Sequence, residues 1–413
     1  MSPRRLVSSL ALVGGKREYR AFLLIMVLTS LGTSASAPLI SLYLATRLHV
    51  ALPVVGLFFA SQALPGFALG LLLGRRSDRW RSRLPVIRGA TLWIGVGWLV
   101  FAFSPFRWLT FAVGPLFLSA GGVIMGQVFA ALHDVMIRDD EPHPGLINTT
   151  IRTGWSFGFV FGPLLGSGLA ALTGFRAAFV TTACLYLLCL VPVRGLDVAV
   201  RSPARRGDGA ERGGRAHLPL YLFAALCTLV LCGTTLKNTY LPLDVTAHLG
   251  GSVRLYGTIV AVSPVVELVV MPLSGVLALK VPLGRLIAGG LAVAMVEYLL
   301  LAASTALWQL YATQALDACV VAVVMGLGLT YAQRLRPDRP GLVSGVFGSS
   351  FGVATVVGNL IGSASVPLLG VPHVFVIPAA LCAVSVLTFL GIERASQRRA
   401  AQDLAIVRRS GIG

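Results

Sequence analysis

The chain is a series of long apolar runs separated by short polar segments. Twelve of these runs approach the length of about 20 residues that crosses the hydrocarbon core of a membrane as a helix. We therefore predict twelve membrane-spanning helices. They cover residues 21–46, 54–74, 87–104, 108–136, 146–170, 175–193, 218–245, 254–279, 285–305, 308–334, 341–369 and 372–392.

The longest interruption lies between the sixth and seventh runs. Residues 194–217 contain the sequence RSPARRGDGAERGGR, which is polar, basic and rich in glycine and is therefore typical of a flexible linker. The pattern predicts a tail over 1–20, a six-helix bundle over 21–193, this linker, a second bundle over 218–392 and a tail over 393–413. Two halves with equal numbers of spans suggest an internal duplication.

Composition agrees with a membrane protein and excludes a soluble one. Of 413 residues, 56% are hydrophobic and only 12% are charged, with a mean hydropathy of +0.82. Soluble domains carry about 25% charged residues. We therefore expect an all-α integral membrane protein with the bilayer as its main partner.

The net charge of +18 has a topological explanation and does not indicate nucleic-acid binding. Most of the 34 Lys and Arg residues lie in the two tails, the linker and alternate loops. The remaining loops hold single arginines, namely Arg47, Arg107, Arg176 and Arg254. Basic loops stay in the cytoplasm, so we expect a multi-pass protein of the cytoplasmic (inner) membrane with both termini and the linker inside the cell.

Composition and motifs give no sign of a cofactor or of enzymatic chemistry. The six cysteines lie in apolar segments without the spacing of zinc ligands. A nucleotide-binding P-loop sequence is absent, which argues against ATP hydrolysis as an energy source. We expect that the protein binds neither a cofactor nor a metal and that it is not an enzyme.

The loop after the second span carries a recognisable signature. Gly74, Asp78, Arg79 and Arg83 match the pattern G-x-x-x-D-R-x-G-R-R, and Arg81 stands where the pattern has glycine. This loop resembles the signature of the major facilitator superfamily. The resemblance implies that the aspartate sits against the start of the eleventh helix and helps to close the cytoplasmic side.

A second motif lies in the fifth span. Gly158, Gly162, Pro163 and Gly166 resemble the G-x-x-x-G-P-x-x-G-G motif of antiporters in the same superfamily, with Ser167 in place of the last glycine. Small residues four apart let helices approach closely, and ordinary helix packing would explain the same spacing.

Scattered residues along the whole chain resemble the bacterial sugar efflux transporter family. That resemblance implies proton-linked export of glycosides or short oligosaccharides, and the family has Asn where this chain has Asp317. The matching positions are Ala37-Pro38, Ser41 to Leu44, Gly56 to Phe58, Arg76 to Asp78, the run from Gln127, Arg152 ahead of Gly162-Pro163, Glu267, Gln314 to Asp317, Gln333 and Pro340-Gly341.

Ionisable residues inside the spans are the candidates for coupling. Charges in a bilayer are costly and face the bundle interior or a cavity. Lys237 and Asp317 fall at similar depth, so we expect them to face each other, with Glu267 slightly deeper and able to compete for Lys237. Either a carboxyl here exchanges a proton, gated by Lys237, or the pair is a permanent structural ion pair.

Other polar residues are candidates for binding a sugar or for closing the cytoplasmic side. A sugar site needs hydrogen-bonding groups and aromatic faces. Asp134 could pair with Arg79 or Arg83 at the cytoplasmic face, and Arg152 could pair with Asp134 instead. We expect the ninth span to lie at the periphery, with Glu297 either packed against its own half or beside a partner buried in the lipid. The substrate-binding candidates are Gln62, Gln127, Arg152, Trp155, Asn238, Tyr240, Gln314 and Asn359.

The sequence and its resemblances together predict a monomeric secondary transporter that exports sugars or glycosides by proton antiport through alternating access. Two alternatives remain open. One is proton-coupled efflux of drugs or other amphipaths on the same fold. The other is a solute sensor that binds without transporting, for which an additional signalling domain would be expected.

Overall fold

A computed structural model describes residues 14–77, 82–104, 106–141, 144–194, 196, 218–336 and 339–409. The regular elements in these ranges are helices, and twelve of them are long and apolar enough to cross a membrane. The prediction of an all-α membrane protein with twelve spans is therefore confirmed. The proposed linker over 194–217 and the loop residues Asp78, Arg79 and Arg81 lie almost entirely outside the described residues.

We number the spans α1 to α12 in chain order. Five of them include short 3-10, π or α segments that continue the same span. The helices are α1 (Arg17–Thr46), α2 (Leu52–Ser77), α3 (Leu84–Phe103), α4 (Arg107–Leu116, Leu118–Ala120 and Gly121–Arg138), α5 (Pro144–Thr173), α6 (Phe175–Leu188 and Leu190–Arg194), α7 (Leu218–Leu243 and Asp244–His248), α8 (Val253–Leu277), α9 (Leu283–Ala302), α10 (Leu307–Val321, Ala322–Leu327 and Gly328–Leu335), α11 (Pro340–Leu369) and α12 (His373–Phe375 and Val376–Arg409).

The observed helices differ from the predicted runs mainly at their ends. The helix of α12 continues to Arg409, well beyond the predicted end at residue 392, because residues 393–409 are rich in the good helix formers Ala, Arg and Gln. The α4 span is interrupted after Pro115, whose ring removes a backbone hydrogen bond and disturbs the preceding turn. Apolar length alone predicted neither feature.

Helix packing within the first six spans is repeated in the last six. In the first half α1 packs on α5 and α6, α2 on α4, and α3 on α4 and α6. In the second half α7 packs on α11 and α12, α8 on α10, and α9 on α10 and α12. Each pair in one half thus corresponds to the pair six spans later. This correspondence is what two parallel repeats related by a pseudo-twofold axis produce.

The two halves meet through α2 against α11, α5 against α8, and α1 against α7. We call the end of the bundle at which α1 begins and α12 ends the linker end, and the opposite end the far end. At the far end Ser363 Oγ donates to the carbonyl oxygen of Pro53 over 2.5 Å. Tyr240 Oη donates to the carbonyl oxygen of Leu52 over 3.4 Å nearby. These hydrogen bonds hold the halves together at the far end.

Close approach of α1 and α5 depends on the glycines of the fifth-span motif. A Cβ built at Gly158, Gly162 or Gly166 would overlap atoms of Ser30, Ser34 or Ala35 on α1. Ser34 Oγ uses this proximity to donate to the carbonyl oxygen of Gly158 over 2.8 Å. The motif therefore packs two helices of the same half, as small-residue stripes do in membranes.

Gly166 and Gly168 lie two residues apart on α5 and provide a matched pair of variants. A Cβ at Gly166 would collide with the carbonyl oxygen of Ala35, whereas a Cβ at Gly168 would meet no atom within 4 Å. We expect Gly166→Ala to destabilise the protein by about 1–3 kcal/mol through overpacking. Gly168→Ala should leave stability unchanged or raise it slightly. Equal melting temperatures of the two detergent-solubilised variants would contradict the observed α1–α5 contact.

Candidate functional site

The second half contains a cluster of buried charges. Lys237 on α7 is 1% exposed, and its ammonium lies 2.9 Å from Glu297 Oε1 on α9 and 2.5 Å from Asp317 Oδ1 on α10. Asp317 is ten residues into α10, which places it about 15 Å from the far end of that helix. Three helices of the second half are thus joined at mid-depth by one ammonium group.

A hydroxyl group extends the cluster to a third carboxyl. Ser263 Oγ on α8 lies 2.7 Å from Asp317 Oδ2 and 3.2 Å from Glu267 Oε1, one turn further along α8. Ser263 is buried, whereas Glu267 is only partly buried. The chain of contacts therefore runs from fully buried Glu297 to a carboxyl that is only partly buried.

The charges of this cluster do not balance. Lys237 supplies one positive charge, while Glu297, Asp317 and Glu267 can supply three negative ones. Burying an uncompensated charge costs several kcal/mol, and charged groups inside a bilayer avoid this cost by pairing or by binding protons. The site is therefore suited to hold at least one proton in addition to those of the lysine.

Lys237 and Asp317 face each other as expected from their depth, whereas the sequence named no partner for Glu297. Glu297 packs within its own half, where it is 0% exposed and bonded to Lys237. The available signal was charge. Lys237 and Arg152 are the cations that lie away from the ends of the predicted spans, so a glutamate deep inside a span needs one of them. Glu267 reaches the pair through Ser263, not by competing for Lys237.

The eight substrate-binding candidates fall into different environments. Arg152 and Asn238 are exposed, Gln62 and Trp155 are partly buried, and Gln127 and Gln314 are buried. The Gln314 amide nitrogen has no hydrogen-bond partner in the described part of the chain. Gln314 also lies one turn before Asp317 on α10, so its amide is available close to the charge cluster.

Tyr240 and Asn359 lie instead in the contact between α2, α7 and α11. The Asn359 side chain accepts from Thr239 Oγ1 over 2.7 Å and donates to the carbonyl oxygen of Thr355 over 2.8 Å. Gly56 lets both residues approach α2, because a Cβ there would be 2.6 Å from Tyr240 Oη. Both candidates thus join helices at the far end in this arrangement.

The linker end carries a second set of ion pairs. Arg83 Nε, before α3, donates to Asp134 Oδ2 on α4 over 2.8 Å. Of the three partners considered for Asp134, namely Arg79, Arg83 and Arg152, the described part of the chain provides Arg83. Gly74 lies near the end of α2, while Asp78 and Arg79 are outside the described residues. At the same end, the side chains of Arg138 and Lys16 donate hydrogen bonds to Asp139. These bonds, of which that from Arg138 contributes most, hold the pKa of Asp139 below its usual value.

The fifth-span motif also contacts the other half. A Cβ at Gly257 on α8 would lie 2.6 Å from the carbonyl oxygen of Pro163 and would overlap Ser167 Oγ. Ser167, where the motif has glycine, is thus accommodated by a glycine across the interface. One face of the motif packs on α1 and another meets the second half.

The charge cluster predicts an unusual order of stability among variants. Lys237→Met leaves two buried carboxyls without a cation and should destabilise the protein by about 3–5 kcal/mol. Lys237→Met/Asp317→Asn should recover only part of this loss, because Glu297 remains unpaired. Adding Glu297→Gln should recover most of it. Thermal unfolding in detergent measures the order, and a triple variant no more stable than Lys237→Met would contradict the assignment of Glu297 to the cluster.

Comparisons with known proteins agree on the family. A family model described as Major Facilitator Superfamily matches residues 22–236 and 221–408. Sugar efflux transporter A of Dickeya chrysanthemi is 28% identical over 83% of this chain and 87% of its own length. Sugar efflux transporter A of Escherichia coli is 25% identical, with 84% and 88% covered.

Solved structures agree on the fold. The crystal structure of the nucleoside transporter NupG superposes with a TM-score of 0.76 at 13% identity, covering 91% of this chain and 99% of that one. The POT family transporter PepTSo gives 0.75 at 14% identity, covering 92% and 98%. With two six-helix halves and a family match along both of them, the chain is a multi-pass membrane transporter that belongs to the Major Facilitator Superfamily.

Proposed function

We propose that the protein exports sugars or glycosides from the cell in exchange for protons, by alternating access of a site between its two halves. The observation that carries the proposal is the cluster of one ammonium and three carboxyls at mid-depth. Its unbalanced charge gives the protein a means to bind and release a proton within the membrane. The similarity to proteins named sugar efflux transporters supports the substrate class.

The roles of the residues follow from their positions. Glu267, Asp317 and Lys237 form the coupling site. Gln314, next to Asp317, and the exposed groups Arg152 and Asn238 bind substrate hydroxyls, together with Gln62, Gln127 and Trp155. Tyr240 and Asn359 would reach a substrate only after the far-end contact opens, because they are packed there in this arrangement.

The ends of the bundle have complementary roles in alternating access. The far end is held by the contacts of Ser363 and Tyr240 with the start of α2. Gly74, Asp78, Arg79, Arg83 and Asp134 would act at the linker end, closing it when the far end opens. Both termini and the linker lie in the cytoplasm of a cell with the protein in its inner membrane, because basic loops are retained there. A monomer provides the whole site.

Transport in inside-out vesicles tests this proposal. The vesicles hold an acid interior reported by a quenched dye, and the probes are lactose, sucrose and methyl glucoside. Export by antiport moves sugar inward and protons outward, so each transported sugar should relieve quenching. Glu267→Gln and Asp317→Asn should abolish the signal, because each removes an ionisable carboxyl from the cluster. Asp140→Asn, in an exposed turn where asparagine tolerates the same backbone, should leave it intact.

A panel of lipophilic cations distinguishes the alternatives in the same vesicles. Relief of quenching by cations and not by sugars would replace sugar export with amphipath efflux. Saturable sugar binding to the purified protein without flux in liposomes would indicate a sensor and overturn the transport proposal.

A further inference from the structure

We propose that Glu267 is the residue that carries the exchanged proton and that the hydroxyl of Ser263 positions it by linking it to Asp317. The inference rests on the proposed proton-coupled transport and identifies which of three carboxyls changes its protonation state. It is carried by the hydrogen-bond geometry around one serine and by the different burial of the three carboxyls.

Ser263 has one hydrogen to donate and two carboxyl groups within reach. Its Oγ lies within hydrogen-bond distance of Asp317 Oδ2 and of Glu267 Oε1. A serine hydroxyl has one hydrogen and two acceptor lone pairs. Sharing that single hydrogen between two ionised carboxylates would give two bent, weakened hydrogen bonds and leave two like charges side by side. Both contacts are well-formed hydrogen bonds when one carboxyl is protonated and donates to the serine oxygen.

The second step is which carboxyl holds the proton. Asp317 faces the Lys237 ammonium over 2.5 Å through Oδ1 and takes the shorter serine contact through Oδ2. Both neighbours stabilise its ionised form, since a positive charge and a hydrogen-bond donor favour the carboxylate. Glu267 has the longer serine contact and no contact within salt-bridge distance of the ammonium among the described residues. The proton therefore belongs to Glu267.

The third step is exchange with water. Glu297 is 0% exposed and bonded to Lys237 on one oxygen, so it has no direct contact with solvent. Asp317 is nearly buried. Glu267 is only partly buried, which makes it the carboxyl through which a proton can enter or leave. On deprotonation it loses its bond to Ser263, because Asp317 already uses the serine hydrogen, and its side chain is released toward the open surface.

Atoms and charge balance in proton release, and water is the proton acceptor. The O–H bond of Glu267 breaks, the proton passes to water, and the carboxylate keeps the electron pair. Lys237, Asp317 and Glu297 do not change their protonation in this step. A substrate hydroxyl that donates to the released Glu267 carboxylate would stabilise the deprotonated state, so binding of a sugar and of a proton would compete for one group, as antiport requires.

Infrared difference spectra of the detergent-solubilised protein test the assignment without a substrate. Raising the pH should remove the carbonyl band of a protonated carboxyl in wild type. Glu267→Gln should lack this pH-dependent band, while Glu297→Gln and Asp317→Asn should keep one. A pH-dependent band that persists in Glu267→Gln and is absent from Asp317→Asn or Glu297→Gln would overturn the assignment.

The role of Ser263 has its own matched variants. Ser263→Thr keeps the hydroxyl and should keep proton-coupled flux of the active sugar in vesicles. Ser263→Ala should reduce proton-coupled flux by about tenfold or more and alter its pH profile. Sugar counterflow without a pH gradient should persist in Ser263→Ala. Equal pH profiles in wild type and Ser263→Ala would overturn the positioning role.

The two proposals fail in different ways. A wild-type protein that moves none of the sugars against protons contradicts the proposed function, whatever the infrared band does. A wild type that couples sugar to protons, and keeps that coupling in Glu267→Gln, contradicts only the assignment of the carrier.

Discussion

A charge inside a bilayer must be neutralised where it lies, and in this protein Lys237 imposes that requirement on the whole second half. Its ammonium is nearly inaccessible, so its partners must come from neighbouring helices. Glu297 and Asp317 supply them from α9 and α10, and Ser263 brings α8 into the same network. Four of the six helices in this half are therefore held in register by polar contacts that hydrocarbon cannot replace.

The first half is held together by different means. Its α1–α5 contact uses small residues and serine hydroxyls, with Gly158, Gly162 and Gly166 allowing the backbones to approach. The corresponding α7–α11 contact of the second half also uses a glycine, since a Cβ at Gly358 would be 2.6 Å from the carbonyl oxygen of Cys232. One helix arrangement thus serves both halves, while the charge cluster at mid-depth lies in the second. Close helix packing makes each bundle rigid, and the charge cluster gives the second bundle a carboxyl group that can change its charge.

Most of the fold could be predicted from the sequence because a bilayer demands long apolar helices, and their number and order are visible as runs. The depth of Lys237 and Asp317 was likewise accessible, since helix rise converts residue counts into distance. The partner of Glu297 was not predicted, because depth along a helix does not reveal which face points inward. The link through Ser263 was missed for a related reason: nothing distinguishes one serine of an apolar span from another until α8 and α10 are placed side by side. Tyr240 and Asn359 are residue types that bind sugars, yet here their polar atoms are engaged in contacts between helices at the far end.

The central claim is that the charge cluster exchanges one proton when substrate binds. The most direct test is to measure proton release when a sugar that is active in vesicles binds to the purified protein. The protein is kept in weakly buffered detergent solution, and a pH-sensitive dye reports the released protons. The account predicts release of up to about one proton for each bound sugar, and no release from Glu267→Gln at comparable occupancy. Saturable sugar binding by wild type without release of protons, at every pH tested from about 5 to about 9, would contradict it.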